Sequence, residues 1–421
     1  MATSKKEILV FAHWLGLEEP KHMGTLTAIS ARGKESFAFE YTKEWLKSGF
    51  SQMLDPDLQM YSGSYYPRGD KNNFGVFLDS CPDRWGRVLM QRREAVLAKK
   101  EGRMVKKLLE SDFLLGVFDG HRMGALRFRT GEKSPFLNNN KEMASPPWTS
   151  LPELELASLR FEEDNTDDPD YLKWINLLIA PGSSLGGARP KASVLDKQSQ
   201  LWIAKFPSKN DEKDVAAWEM VANQLAVKAG IQVAAGSIQK FNRTYNTYLT
   251  KRFDRTDHNK RIHFASAMTL LGHNDGEDKG TASYLELIEF LVRHGAQVET
   301  DLQQLWRRIV FNICIKNTDD HLRNHGFILT PNGWILSPAY DMNPNEYGAG
   351  LCLNITDDNN ALDLDLVLEI AGFCRLENKE ANRTIKEIRS AISSWKTLAG
   401  KYKISKAEQE RMEPAFELAL F

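Results

Sequence analysis

The sequence predicts an α+β protein: a small mixed α/β N-terminal subdomain, then a β-rich lobe, then a mainly helical lobe. Three observations carry this. Strand-like runs and helical patterns interleave through residues 1–130. Turn-forming residues crowd at 131–150. Beyond about residue 281 helical periodicity dominates, apart from a single hairpin pattern. With 421 residues the chain exceeds what one core usually organises, so two or more domains are expected.

Strands are expected at Ile8–Leu15, Gly24–Ala31 and Ser36–Tyr41, where apolar residues cluster or alternate with polar ones. Phe74–Leu78 reads as a buried strand or a turn of helix. Pro82–Lys100 reads as a helix, with proline early and Trp85, Val88, Leu89 and Val96 at helical spacing. Met123–Arg129 reads as a strand. Residues 131–150, rich in Pro, Asn and Ser, form a linker, so the N-terminal subdomain is expected to span 1–150.

The β-rich lobe is expected at 151–255. Helical patterns at Leu151–Phe161 and Tyr171–Ala180 precede a glycine-rich loop and strand-like runs at Ala192–Leu195 and Leu201–Phe206. Asp214–Ala229 has an amphipathic helical pattern, with Asp214 placed to cap it and Gly230 just past its end. Val233–Phe241, Tyr245–Phe253 and Arg261–Ala265 read as strands. The helical lobe, 256–421, contains helices at Tyr284–His294 and Leu302–Ile315. It also holds a hairpin over 325–340 that turns at Thr330-Pro331-Asn332-Gly333.

Composition narrows the function classes. Lys+Arg 55 against Asp+Glu 56 leaves no global field that would favour nucleic acid or an anionic membrane. No apolar stretch is long enough to span a bilayer, and the N-terminal residues lack a secretory signal pattern. Cys81, Cys314, Cys352 and Cys374 form no CxxC pair, which suits reduced thiols in the cytoplasm.

Phosphoryl transfer from a nucleotide needs a phosphate cradle, a cation on the phosphates, metal ligands and a group that orients the acceptor hydroxyl. Each has a candidate. In Asn317-Thr318-Asp319-Asp320-His321-Leu322-Arg323-Asn324, four residues separate Asp319 from Asn324. That is the spacing of a protein-kinase catalytic loop, whose Asp takes the hydroxyl proton and whose Asn holds Mg²⁺. A polar turn between helix and hairpin is the alternative. Asp341 follows directly on the second strand of the hairpin, where a kinase carries its second metal-binding Asp, although Met342-Asn343 replace the usual Phe-Gly. Residues 181–191, PGSSLGGARPK, offer a glycine-rich cradle that matches neither common phosphate-loop spacing. Lys205 ends the strand-like run Leu201-Trp202-Ile203-Ala204-Lys205, which resembles the Val-Ala-Ile-Lys strand of kinases; an edge lysine before Pro207 is the alternative. Glu219, flanked by apolar residues on the next helix, is the candidate to orient Lys205, with an exposed helix glutamate as the alternative. Lys251–Phe253 stand where an adenine-binding hinge would lie. The order along the chain is that of a bilobal protein-kinase-like fold.

Beyond these motifs, the sequence resembles the HipA-type serine/threonine kinases, toxins of bacterial type II toxin–antitoxin systems. The resemblance rests on SSLGGARPKAS (183–193), IAKFP (203–207), KRFDR (251–255), NTDDHLRNHGF (317–327), SPAYDMN (337–343) and LDLDL (362–366). GVFLDSCPDRWGR (75–87) and MGALRF (123–128) extend it over nearly the whole chain. It implies Asp319 as catalytic base, Asn324 and Asp341 as Mg²⁺ ligands, and Lys205 on the ATP phosphates. Ser184, Gly186, Gly187, Lys191, Lys251, Phe253, His321 and Glu219 complete the implied nucleotide site. Autophosphorylation of the glycine-rich loop falls at Ser184 or its neighbour Ser183. The implied partners are a helix-turn-helix antitoxin of the HipB type, through which alone the kinase meets DNA, and a protein substrate such as an aminoacyl-tRNA synthetase. No membrane is implied. Two other readings stand beside it: a small-molecule phosphotransferase on the same scaffold, and a nucleotide-binding pseudokinase or co-repressor module. Retention of Asp319, Asn324, Asp341 and Lys205 argues against the last.

Overall fold

In a computed structural model, residues 4–69, 71–141, 144–163, 170–179, 189–242, 244–275 and 280–420 are described. The chain forms two compact units, Met1–Lys209 with Asp254–Ala265, and Asn210–Phe253 with Ser266–Phe421.

The first unit is built on an antiparallel sheet of β1 (Ser4–Ala12), β2 (Lys21–Ala31), β3 (Lys34–Tyr41), β4 (Ser64–Tyr65) and a later strand, Leu126–Arg129. The later strand lies beside β1, and the sheet order from the opposite edge is β4, β3, β2, β1. Strand β3 shows why: Phe37, Phe39 and Tyr41 are buried while Ala38 and Glu40 alternate outward, the period of a sheet with one covered face. That cover includes the short helix Gly75–Leu78, which resolves the ambiguous run at 74–78. Its Phe74 and Phe77 rings lie 6.4 and 5.4 Å from Phe39. Helix α1 (Arg84–Glu101) begins at Asp83, whose carboxylate caps Gly86 N, and ends at Gly102 in the left-handed conformation that glycine adopts without steric penalty. Between α1 and the last strand, Arg122 is fully buried and donates to four backbone carbonyls, those of Ser80, Leu114, Val117 and Leu137.

The division into units departs from the expected breaks near residues 150 and 255. After the strand Leu126–Arg129 (β5) come helices α2 (Leu151–Glu162) and α3 (Tyr171–Ile179), then the hairpin β6 (Lys191–Leu195) and β7 (Leu201–Lys205). These pack with the N-terminal elements. Trp85 Nε1 donates to Lys191 O at 3.1 Å, the Trp85 ring lies 5.0 Å from Phe161, and Arg93 Nε donates to Asn176 Oδ1 at 2.8 Å.

In the second unit, helix α4 (Val215–Lys228) is capped by Asp214, which accepts from Ala217 N. It ends with paired bonds from Gly230 N to Val227 O and Ile231 N to Ala226 O, with Gly230 at φ 73. An amphipathic helix was expected, yet it is buried nearly all round. Its Trp218 ring lies 6.0 Å from Trp395 and 5.9 Å from Phe416, so C-terminal helices cover the side that would otherwise face water. The hairpin β8 (Gly236–Gln239) and β9 (Thr247–Lys251) follows. Strand β8 is shorter than the expected Val233–Phe241 because Ala234 N bonds to Ala339 O instead. Helices α5 (Tyr284–His294) and α6 (Val298–Cys314) lead to the hairpin β10 (Gly326–Thr330) and β11 (Gly333–Leu336). Gly333, at φ 133, sits where a Cβ would come within 2.7 Å of His294 O, so glycine is required at that turn. All four cysteines are buried free thiols, and burial pushes those of Cys81, Cys314 and Cys374 up to about 12. Among the described residues no helix is long and apolar enough to cross a membrane.

Candidate active site

Helix α6 delivers the chain to the motif that spacing singled out. Lys316 leaves the helix at φ 49, Asn317 is buried, Thr318 is half-buried and Asp319 is exposed. The candidate base is therefore open to solvent. Its neighbour Asp320 is buried, and its Oδ2 accepts from Tyr284 Oη, from Asn312 Nδ2 at 2.7 Å and from His325 Nε2 at 2.8 Å. Burial alone would raise the Asp320 carboxyl. The charge and hydrogen bond of His325, with the bond from Tyr284, outweigh it and hold the carboxyl below its ordinary range.

A turn of 3-10 helix, Leu322–Asn324, folds Asn324 back on the loop. Its Nδ2 donates to Asp319 O at 2.8 Å, while its Oδ1 is buried and finds no hydrogen-bond partner among the described residues. His321 is half-buried, and its N donates to the same Asp319 carbonyl at 3.0 Å. The segment after β11 then returns to this loop through three bonds. Tyr340 Oη donates to Arg323 O at 2.7 Å, Asn343 N to Asn317 Oδ1 at 3.4 Å, and Asn345 Nδ2 to Thr318 Oγ1 at 2.8 Å. Asp341 lies between the first two of these, at φ 59, a left-handed conformation that Asp tolerates better than most residues. Asn343 Nδ2 donates to its Oδ1 at 3.2 Å. The loop and the Asp341 segment are stitched into one surface.

That surface suits a hard divalent cation. Asp341 offers a carboxylate and Asn324 a buried amide oxygen lacking a donor, the oxygen ligands that Mg²⁺ takes together with phosphate oxygens and water. Glu219 stands on α4 at 4% exposure, so the exposed-helix alternative is excluded. Tyr248 locates it further: burial first, then the negative charges of Glu219 and Asp341, push the Tyr248 hydroxyl well above its ordinary pKa. Both carboxylates are thus within electrostatic reach of one buried hydroxyl. Phe253 packs its ring 5.6 Å from that of Tyr340, next to Asp341, and Lys251 N donates to Ala235 O at 2.8 Å.

The other expected residues lie in the first unit or outside the description. Lys191 and Lys205 face each other across the β6–β7 pair. Lys191 is buried with its Nζ 2.9 Å from Asp83 Oδ2, an ion pair that offsets the repulsion between two directly opposed lysines. Lys205 is half-buried at the strand end. Ser183, Ser184, Gly186 and Gly187 lie outside the described residues. Spacing missed Tyr284, Asn312, Asp320 and His325, which anchor the loop; the doubled Asp319-Asp320 was the available signal.

Comparison with known proteins gives consistent results. A family model for the HipA-like C-terminal domain matches residues 183–395. The serine/threonine-protein kinase toxin HipA of Shewanella oneidensis is 25% identical over 341 residues, 73% of this chain and 70% of that protein. The solved complex of Shewanella HipA, HipB and its operator DNA aligns with a TM-score of 0.65 at 18% identity, covering 99% of this chain and 96% of that one. At that identity the likeness is one of fold, and it is the α+β, kinase-like fold expected from the sequence.

Proposed function

We propose, from the premise that this chain belongs to the HipA family, that it is an ATP-dependent serine/threonine protein kinase acting as the toxin of a toxin–antitoxin pair. One observation carries the reading: Asp341 is clipped beside the Asp319 loop, where Asn324 keeps a buried, unpaired Oδ1. An amide oxygen held in that state costs folding energy unless a ligand completes it.

The roles follow from placement. Asp319 takes the proton of the acceptor hydroxyl as that oxygen bonds to the γ-phosphorus and the bond to ADP breaks, its electrons leaving with ADP. Asn324 and Asp341 would hold Mg²⁺, which supplies charge neutralisation on the triphosphate. Lys205 is the cation assigned to the phosphates, and Glu219, buried on α4, is the carboxylate assigned to orient it. The backbone at Lys251–Phe253 receives the adenine, and His321 borders the phosphates. Gly186 and Gly187 let that loop approach the phosphates, and Ser184 or Ser183 is its self-modified residue. A phosphate there adds negative charge where ATP's own phosphates must sit, so modification would switch the kinase off.

The partner is a helix-turn-helix antitoxin of the HipB type, which brings the kinase to operator DNA. The substrate is a cytoplasmic protein, for which an aminoacyl-tRNA synthetase is the family's precedent. Four reduced thiols support a cytoplasmic setting. The test is incubation with ATP and Mg²⁺, wild type beside Asp319→Ala, read by intact-mass and peptide mass spectrometry. One added phosphate on Ser183 or Ser184 in wild type alone is expected. Equal phosphorylation of both proteins would remove Asp319 from the chemistry.

A further inference from the structure

Next to Asp319 the second unit holds a cavity of about 210 Å³ that none of the roles above employs. Val215, Trp218 and Pro344 make part of its wall apolar, and Asp319 and Asn343 also line it. Lys213, also on the wall, has its Nζ 2.5 Å from Glu346 Oε2, so its charge is already balanced. Asn343 donates from Nδ2 to Asp341, and its Oδ1 is buried with no hydrogen-bond partner among the described residues.

Each feature restricts the occupant. Asp319 belongs both to the cavity and to the reacting centre, so whatever fills the cavity lies beside the acceptor hydroxyl. A charged group there would lose its hydration against valine, tryptophan and proline. An acidic one would also meet the Asp319 carboxylate. An unpaired buried carbonyl oxygen is completed by an incoming N–H, which a polypeptide backbone supplies at every residue except proline. We infer that this cavity is the subsite for an uncharged, apolar side chain flanking the acceptor serine or threonine of the protein substrate, with Asn343 Oδ1 receiving a main-chain N–H beside it. The inference rests on the kinase reading of Asp319 given above.

The experiment is a positional-scanning library of serine and threonine peptides, phosphorylated with radiolabelled ATP and Mg²⁺ by the full chain. Wild type is compared with Val215→Asp, which charges the cavity wall in the first turn of α4, where a helix tolerates an acid. Wild type should favour apolar over acidic residues at a position flanking the acceptor by roughly tenfold or more, a discrimination ordinary for a hydrophobic pocket. Val215→Asp should abolish that preference. Pro344→Ala, which widens the same cavity without charge, should shift the preference to larger apolar side chains, and it decides the matter if Val215→Asp does not fold. A flat or acidic preference in wild type, or a preference unchanged by both variants, would overturn the inference. So would failure to phosphorylate any peptide. In that last case Asp319-dependent ATP hydrolysis by the same protein tells whether the kinase reading survives, pointing to a small-molecule acceptor, or falls as well.

Discussion

Replacing Asp320 with alanine removes the acceptor that Tyr284, Asn312 and His325 share. All four residues are buried, between 0% and 4% exposed, so water does not already serve these donors. A stranded buried donor costs about 1–3 kcal/mol, and simple addition over three gives about 3–9 kcal/mol. The donors converge on a single oxygen, so their losses are not independent. A working figure is about 3–5 kcal/mol, the usual cost of removing one member of a buried charged network. For a domain of this size that is a fall in Tm of about 6–20 °C. Tyr284→Phe deletes one donor and strands nothing, costing about 1 kcal/mol. Combining the two spares the stranded hydroxyl, so the double variant should be about 1–2 kcal/mol more stable than the sum of the singles. Urea unfolding followed by circular dichroism measures each term, with unchanged slopes certifying the comparison. The sign of the pH dependence follows from the lowered folded pKa of Asp320. Its contribution is complete above the unfolded value, near 4, and is lost as pH falls through the folded value. The gap between wild type and Asp320→Ala should therefore be constant near neutrality and close in acid. A gap under about 1 kcal/mol at neutral pH, below the cost of even one stranded donor, would refute the anchoring argument, as would an additive cycle.

Asn324→Ala should raise the Mg²⁺ concentration needed for half-maximal phosphoryl transfer by roughly 10–100-fold or more, read by titrating activity against Mg²⁺. Asp301 accepts from Leu336 N, and burial pushes its carboxyl up to about 6. A folded pKa above the unfolded one means this group costs stability as pH rises from about 4 to about 6. Asp301→Asn lacks that slope, so denaturation profiles of variant and wild type should shift in the variant's favour across this interval. In the first unit, Arg122→Met removes a buried donor from the Ser80, Leu114, Val117 and Leu137 carbonyls, of which Val117 O still accepts from Asn138 N, a loss of about 3–5 kcal/mol that thermal unfolding would register.

What the sequence made legible is what repeats at short range. Phe37, Phe39 and Tyr41 alternate because a pleated strand covers one face, and that period is visible in eight letters. The caps at Asp83, Asp214 and Gly230 are local for the same reason. The unit boundaries are not local. Trp85 reaches Phe161 and Lys191 across distant sequence, and no composition shift announces such contacts. Nor does periodicity reveal that Val233 and Ala234 pair with Ala339 in preference to continuing β8. In the loop, spacing and order single out Asp319, Asn324 and Asp341 as candidates. The apolar flanks of Glu219 point to an inward side chain, and its burial agrees with them.

The loop also contains its own ambiguity, and the structure resolves it. Asp319 precedes Asn324 by the same interval at which Asp320 precedes His325, so the pattern of carboxylate and polar partner occurs twice, one residue out of step. Only one of the two frames can face the solvent. In the outer frame Asp319 is exposed and Asn324 bonds its carbonyl, leaving Oδ1 unpaired. In the inner frame Asp320 and His325 bond each other directly and spend their polarity on Tyr284 and Asn312. Two adjacent carboxylates would repel if both were available. Surrounding one with three donors in the interior neutralises it as an anchor and leaves Asp319 at the surface. Loss of activity in Asp320→Ala should therefore arise through displacement of Asp319 and Asn324, and the isosteric Asp320→Asn, which keeps an acceptor oxygen at that position, should recover part of it.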